Sequence, residues 1–518
     1  MSSAASSARR FAARAEDEGA LRPGRSLTKA AVCGWLGFAF LLFLLQTLPY
    51  LSYRWVTDES WYAGPAYSFA HGNGIADPAI GPNDLENHFD ARSPGTAIVM
   101  GTAFRFFGTG QISARLGSLI AGLMIVFLSY RLARDVIGEE GALVATFIVA
   151  TDNLVVLTSR SARPEALTAM AVLMSLLAMK QYARRDSLAW AFLSGLLVAM
   201  GSMFHVMLLG YIVSIGILAI ALDRGRGRFP LRGAATYACG YGLGLVPFAV
   251  WILATPLGRA SFRQDYLNRA TTGTLWQLWL RFLGEGHRYS DLLGLNMLHG
   301  HGLESIPVRL PIPLFFLAAS FLLWKLRRQW FYLEMLLLAP TVLWFIYMTT
   351  TKTSRYLALL APVFAVAIGA AVAATSENRK LHRIVLACSC LVVAAQLSAN
   401  FLLLYAARNA DYNKVAAELH TVIPPGQTAY GTITFWLALH DQPFISYERT
   451  DPWMAANQFN ARYFITGDRV MTSGFPGDYA FDQSLRRSVA EVIAQSKLVG
   501  HFSDPYYGDL KVYEFHAR

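Results

Sequence analysis

Apolar residues in this chain gather into long runs broken by short polar connections; they neither alternate nor recur on one helical face. Runs at 31–52, 113–133, 140–158, 166–183, 187–204, 206–222, 233–254, 311–326, 330–350, 356–375 and 384–405 are each long enough to cross, or nearly cross, a hydrocarbon layer of about 30 Å. The pattern predicts an α-helical polytopic membrane protein with about eleven transmembrane helices. The pattern changes beyond residue 406. Ala429-Tyr430-Gly431, Pro443–Tyr447, Arg462–Gly467 and Leu510–Phe515 read as short strands. Asp411–Val422, Thr434–His440, Asp451–Phe459 and Gln483–Gln495 read as helices, two of them opening on an aspartate suited to capping. The alternation predicts a small α/β domain over 406–518 behind a membrane module over 31–405. No internal repeat is visible.

Composition agrees. Hydrophobic residues make up 54% and charged residues 15% of the 518 positions, against roughly 45–50% and about 25% in soluble proteins. Mean hydropathy is +0.36. The net charge of +11 would suit nucleic acid if the basic residues formed a patch, but they lie in short clusters between apolar runs, so no nucleic-acid partner is expected. Cys33, Cys239, Cys388 and Cys390 all fall within apolar runs, without a CxxC motif, and are expected to be small buried hydrophobes.

Residues 1–30 form a basic tail with no cleavage pattern behind the first apolar run, so they read as a disordered cytoplasmic segment and not as a signal peptide. The stretch 94–107 is apolar but too short to span and carries Arg105. If it does not cross, the clusters Arg131/Arg134, Lys180/Arg184/Arg185, Arg224/Arg226/Arg228/Arg232, Lys325/Arg327/Arg328 and Arg379/Lys380/Arg383 all share the side of the N-terminus. It is therefore read as a juxtamembrane helix. The N-terminus is then cytoplasmic, and the C-terminal domain and the loops 53–112 and 255–310 are extracytoplasmic, as in a bacterial inner-membrane protein.

Four connections on that outer side carry charge. Thr57-Asp58-Glu59-Ser60 follows the first run, and a helix N-terminus capped by Asp58 is one explanation for it. Further along the same connection, Asn87 to Pro94 contains Asp90 and Arg92. Arg115 opens the second run, where snorkelling would account for it. Ser159-Arg160-Ser161-Ala162-Arg163-Pro164-Glu165 joins two runs, and a local Arg163–Glu165 pair would explain it. Arg355-Tyr356 opens the tenth. Together these four connections place carboxylates and guanidinium groups at one depth. That suits a base that takes a proton from a hydroxyl while arginines hold a lipid phosphate.

Asp58-Glu59, Phe89-Asp90 to Pro94, Phe106-Phe107-Gly108 with Arg115-Leu116-Gly117-Ser118, Ser159–Glu165 and Arg355-Tyr356 occur in the order found in a known family. Over roughly residues 30–375 the chain resembles the GT-C superfamily of polyprenyl-phosphate-sugar-dependent membrane glycosyltransferases, and within it the protein mannosyltransferase and lipid A aminoarabinose transferase group. The resemblance implies a GT-C-like fold and transfer of one sugar from a polyprenyl phosphate to an acceptor on the outer face. It makes Asp58 the expected catalytic base, with Glu59 and Glu165 beside it. It assigns Asp90, Arg92, Arg115, Arg163, Arg355 and Tyr356 to the donor phosphate and substrate. The family's lysine near Asp90 is missing here, with Arg92 nearby, and its aspartate after Arg-Pro is Glu165.

The chemistry expected is inverting transfer with no cofactor. His299-Gly300-His301 is a lone pair without metal-ligand spacing, so no divalent metal is indicated. Two other functions are compatible with such a chain. An O-antigen-ligase-type enzyme would not need the acidic pair after the first run. A lipid-linked-sugar flippase would carry its ionisable residues near mid-bilayer and be built from paired halves. On this reading the acceptor is a lipid, a protein or a polysaccharide.

Overall fold

A computed structural model describes residues 28–80, 94–254, 259, 279–284, 311–348, 354–447, 450–467 and 479–515. Helix α1 (Lys29–Thr47) begins where Thr28 Oγ1 accepts the Ala31 N–H at 3.3 Å, and it gives way at Leu48-Pro49 to a 3-10 turn, Leu48–Ser52. Next come α2 (Thr57–Ala70), α3 (Pro94–Phe107), α4 (Gln111–Thr151) and the short α5 (Asn153–Ser159). They are followed by α6 (Pro164–Arg185), α7 (Leu188–Phe204), α8 (Leu209–Gly225), α9 (Arg232–Ala254), α10 (Pro311–Leu326), α11 (Arg328–Met348), α12 (Ala361–Ala374) and α13 (Arg379–Ala407).

Among the described residues, six helical stretches are long and apolar enough to cross a membrane: Lys29–Ser52, Gln111–Thr151, Pro164–Arg185, Arg232–Ala254, Arg328–Ile346 and Arg379–Val422. Leu188–Phe204, Leu314–Leu326 and Ala361–Ala374 are apolar but shorter. Six is fewer than the eleven runs because of these shorter helices, because α8, over the run 206–222, has only 17 residues, and because 113–133 and 140–158 are joined in α4. That helix breaks at Gly138, whose φ of 77° and ψ of 175° suit glycine and are not helical. The second arm runs back along the first: a Cβ on Gly122 would collide with Ser159, which follows the second arm, and with Phe43 of α1.

The bundle therefore has two distinct ends. At one, Lys180 bonds the carbonyls of Arg131 and Leu132, Asp135 holds Lys180 and Arg184 at 3.2 and 2.7 Å, and Asp186 pairs with Arg226 and Arg228. Glu140 meets His382 at 3.2 Å there, and Arg327 lies 4.0 Å from Glu377. The five basic clusters read from the sequence thus gather at one end. Helix α6 leads from that end to the other, about 33 Å away at 1.5 Å per residue.

Helix α3 occupies the 14 residues of the ambiguous stretch 94–107. It packs on α2, where Gly101 meets the Ala66 carbonyl, and on the far end of α7, where Gly95 meets Phe204. The cysteines are all free, but none is buried as expected: Cys33, Cys239 and Cys390 lie on the outward surfaces of their helices, and Cys388 is half-buried.

The C-terminal segment opens with α14 (Tyr412–Val422), capped by Asp411, whose carboxylate accepts the Asn413 N–H at 3.0 Å. It continues through β1 (Ala429–Gly431), a 3-10 turn (Ile433–Leu439), β2 (Phe444–Ser446), α15 (Pro452–Asn457), β3 (Tyr463–Gly467), α16 (Tyr479–Ile493), β4 (Ser496–Asp504) and β5 (Gly508–Phe515). The strand order is β2-β1-β3-β5-β4, parallel from β2 to β3 and antiparallel beyond. The sequence reading missed β4. It is an edge strand with Leu498 half-exposed and a bulge between Leu498 and Gly500, so no apolar alternation marks it. One sheet face packs under α16 through Tyr430, Phe464, Val489 and Phe515. The other shares a core with α2 and α3, where Leu419, Ile465 and Val512 join Trp55, Ala63, Met100 and Phe104.

Candidate active site

At the end of the bundle away from the basic clusters, α2 starts directly after the linker that leaves α1. The helix begins at Thr57 with Val56 as N-cap, and the carboxylate that reaches back to the Val56 N–H, at 3.1 Å, belongs to Glu59. Asp58 is thus not the cap. The two adjacent carboxylates face different surroundings.

Glu59 is buried, 1% exposed. Its oxygens accept Arg115 Nε and Nη2, both at 2.8 Å, and the Ala162 backbone N–H at 2.7 Å. Arg115 is also fully buried. Its remaining hydrogens go to the carbonyls of Tyr50 and Leu51 at 3.0 Å each and of Arg54 at 2.5 Å. A guanidinium has five N–H donors, and all five are matched here. The pair ties the start of α4 to the α1–α2 linker and, through Ala162, to the connection before α6.

Asp58 lies on the open side of the same turn, its side chain 55% exposed. It accepts Arg163 Nη1, and Arg355 Nη1 at 3.3 Å. Arg163 is the N-cap residue of α6, with Pro164 and Glu165 filling the first turn, where proline and an acid suit a helix start. Its Nε and Nη2 bond Glu165 Oε1 at 3.0 and 2.6 Å, and Glu165 is fully buried. The expected local Arg163–Glu165 pair is therefore present, and it also reaches Asp58. Arg355 and Tyr356 sit on a 3-10 turn, Ser354–Leu359, whose Leu359 carbonyl accepts the Tyr211 O–H at 2.8 Å.

The structure thus brings together Asp58, Glu59, Arg115, Arg163, Glu165, Arg355 and Tyr356 from four connections. Asp90 and Arg92 lie outside the described residues, as do His299 and His301. Among the described residues no three His, Cys, Asp or Glu side chains are grouped to hold a metal ion.

Three further residues belong to the same surroundings. Tyr62 stands one helical turn after Asp58, in the field of Arg163, Glu165, Tyr356 and Asp58, and burial pushes its phenol well above its usual range, so it stays a neutral O–H. The i, i+4 spacing from Asp58 is a signal that could have found it. His205, at the end of α7, has its ring 5.1 Å from that of Tyr356, and its Nδ1 accepts the Met207 N–H at 3.1 Å. Arg160 is buried with its guanidinium 4.1 Å from the Tyr50 ring centre.

A sequence model of the dolichyl-phosphate-mannose-protein mannosyltransferase family matches residues 91–253. No curated protein gives a significant match. Solved structures are similar over nearly the whole chain. ArnT from Cupriavidus metallidurans in the apo state superposes with a TM-score of 0.59 at 13% identity, over 94% of this chain and 99% of that one. The same protein bound to undecaprenyl phosphate gives 0.58 at 12%, over 95% and 99%. The archaeal oligosaccharyltransferase AglB from Archaeoglobus fulgidus, in complex with an inhibitory peptide and a dolichol-phosphate, gives 0.51 at 11%, over 93% of this chain and 74% of that one. The chain is thus similar in sequence to that mannosyltransferase family over residues 91–253, and it shares the fold of ArnT and AglB over nearly its full length.

Proposed function

We propose that this protein transfers a sugar from a polyprenyl-phosphate-linked donor to an acceptor hydroxyl, with inversion, at the extracytoplasmic face of a membrane crossed by about eleven helices. The observation that carries the reading is the contrast among the three clustered acids. Glu59 and Glu165 are buried and held by arginines, whereas Asp58 keeps an open face. A general base must be reachable by the hydroxyl it deprotonates.

Asp58 takes the proton of the acceptor hydroxyl as its oxygen bonds the anomeric carbon. The bond from that carbon to the phosphate oxygen breaks, and the electron pair leaves with the polyprenyl phosphate. Arg355, one-third exposed beside Asp58, meets the charge that develops on the leaving phosphate, with Arg92 as a further candidate for that role and Asp90 as a candidate for holding the substrate. Arg163 orients Asp58 through the bond they share, and Tyr356 and Tyr62 line the approach, Tyr62 as a neutral donor. Arg115 moves from the phosphate group of residues to a positioning role, because its five donors are already used. Glu59 joins it. The ligands in the solved structures of ArnT and AglB, undecaprenyl phosphate and dolichol-phosphate, are polyprenyl phosphates, the class of leaving group proposed here.

The test is a transfer assay with the purified full-length chain in lipid, supplied with polyprenyl-phosphate sugars extracted from the membranes of its source cells. Release of free polyprenyl phosphate together with a glycosylated acceptor is the expected result. A chain that consumes no lipid-phosphate sugar, yet accepts a diphosphate-linked glycan, would replace this reading with the ligase-type enzyme.

A further inference from the structure

The linker Tyr53-Arg54-Trp55-Val56 belongs to neither α1 nor α2, so its backbone groups must find partners outside a helix. Trp55 is fully buried. Its N–H donates to the Tyr507 hydroxyl at 2.7 Å, and that hydroxyl donates to the Trp55 carbonyl, also at 2.7 Å. One side chain from the far end of the sequence, 452 positions away, thus satisfies both backbone groups of a residue three before Asp58. The Trp55 indole carries the connection onward, its Nε1 donating to Ser60 Oγ in the first turn of α2 at 2.6 Å.

Tyr507 is itself held firmly. It lies in the turn between β4 and β5, where Asp504 Oδ1 accepts the N–H groups of Tyr506 and Tyr507 at 2.7 and 2.9 Å. Its ring packs with Tyr412 and Phe435, centroids 6.0 and 5.8 Å away. Burial holds its phenol well above the usual range, so the hydroxyl keeps its proton and can donate and accept at once. From the opposite side, Gln111 Nε2 bonds the Tyr53 carbonyl at 2.9 Å and Arg115 the Arg54 carbonyl. The linker is therefore gripped between the membrane helices and the C-terminal domain.

We propose that Tyr507 is a positioning residue for Asp58, so that the C-terminal domain, through one hydroxyl, sets the geometry of a carboxylate on the membrane module. The inference rests on the reading of Asp58 as the base. It gives the domain a part in the chemical step beyond covering the site. A base displaced by an ångström loses much of its effect, and losses of about ten- to a hundredfold in kcat follow from misplacement of that size.

The experiment uses the full-length chain with Tyr507→Phe, which keeps the ring and removes both bonds, beside His501→Ala, a change at an exposed site on the same hairpin. Amide hydrogen exchange over 50–60, kcat, and KM for a polyprenyl-phosphate sugar are measured for each. In Tyr507→Phe, faster exchange confined to that segment should accompany the fall in kcat, with KM for the donor within about twofold, while His501→Ala behaves as the parent. Unchanged exchange at 50–60, or faster exchange with parental kcat, overturns the proposal and leaves the functional reading standing. A parent chain that transfers no sugar overturns the functional reading, and the positioning role falls with it. Where Tyr507→Phe does not fold, Asp504→Ala, which loosens the turn and keeps the hydroxyl, carries the same test with the same outcomes.

Discussion

Helix α6 carries an ionic cluster at each end, and the two are built differently. At its start, Arg163 is 7% exposed and Glu165 fully buried, with Glu59 and Arg115 equally enclosed beside them. At its end, Arg184 is 49% and Asp135 26% exposed, and the pairs around them reach into solvent. Exposed pairs are worth about 0–1 kcal/mol, since water screens them and long side chains lose freedom in making them. Buried charges are costly to enclose and more costly to orphan. A chain that encloses two arginines and two carboxylates at one end and leaves its ion pairs partly open to solvent at the other has its demanding geometry at the first. Asp58 is the exception there, a half-exposed carboxylate bonded to an enclosed arginine. Fixed neighbours with one open acid distinguish this end from the other.

The sharpest way to break the comparison is at that open acid. Asp58→Asn preserves size and can still accept from Arg163, but it cannot take a proton. Sugar transfer in purified membranes should fall about 10²–10⁴-fold with expression intact. Activity within a few-fold of the parent would remove Asp58 from the chemistry. The enclosed pair comes next. Arg115→Met leaves Glu59 buried without its cation and takes a donor from each of the carbonyls of Tyr50, Leu51 and Arg54. A loss of about 3–5 kcal/mol is expected, read as a large fall in melting temperature in detergent. Adding Glu59→Gln should restore part of it. A single variant as stable as the parent would mean that the enclosure is not the source of rigidity.

Much of this was legible in the sequence. Apolar runs gave the helices, clustered lysine and arginine marked one end, and four of the five strands appeared as short apolar stretches. The charged connections were also visible because ionisable residues at span mouths stand out against their surroundings. Their division of labour was not. Asp58 and Glu59 are neighbours of like chemistry, and only the arrival of Arg115 from 56 positions away makes one closed and the other open. The grip of Tyr507 on Trp55 spans nearly the whole chain, with no local pattern to signal it. Strand β4 failed for the opposite reason: it lies at an edge, half-exposed, so no burial pattern is imposed on it. Local periodicity reports burial well; it reports long-range pairing poorly.

The comparison sharpens at Arg355, which shares Asp58 with Arg163 but is 34% exposed against 7%. An arginine with spare surface can meet a phosphate. Arg355→Ala should weaken use of the lipid-phosphate donor by about 1.5–3 kcal/mol, the range for a charge-assisted bond, appearing chiefly as a raised donor KM or a lowered kcat/KM. Melting should change little. Donor dependence equal to the parent's would reduce Arg355 to a snorkelling side chain.

The smallest effect is expected at the other end, and its smallness is what tests the contrast. Asp135 receives Lys180 and Arg184, the same number of cations that Asp58 receives from Arg163 and Arg355. A count of ion pairs would therefore rank the two acids together. Solvent access separates them. Lys180 also bonds the carbonyls of Arg131 and Leu132, so it keeps partners when the acid is lost, and Arg184 can turn to water. Asp135→Asn should thus cost no more than about 1 kcal/mol in stability and leave transfer at the parental rate, since α6 places it about 33 Å from the open carboxylate. Melting and transfer measured on the same preparation decide it. A loss of transfer comparable with that of Asp58→Asn would mean that the two ends are coupled through α6, and that the division into one demanding end and one ordinary end is wrong.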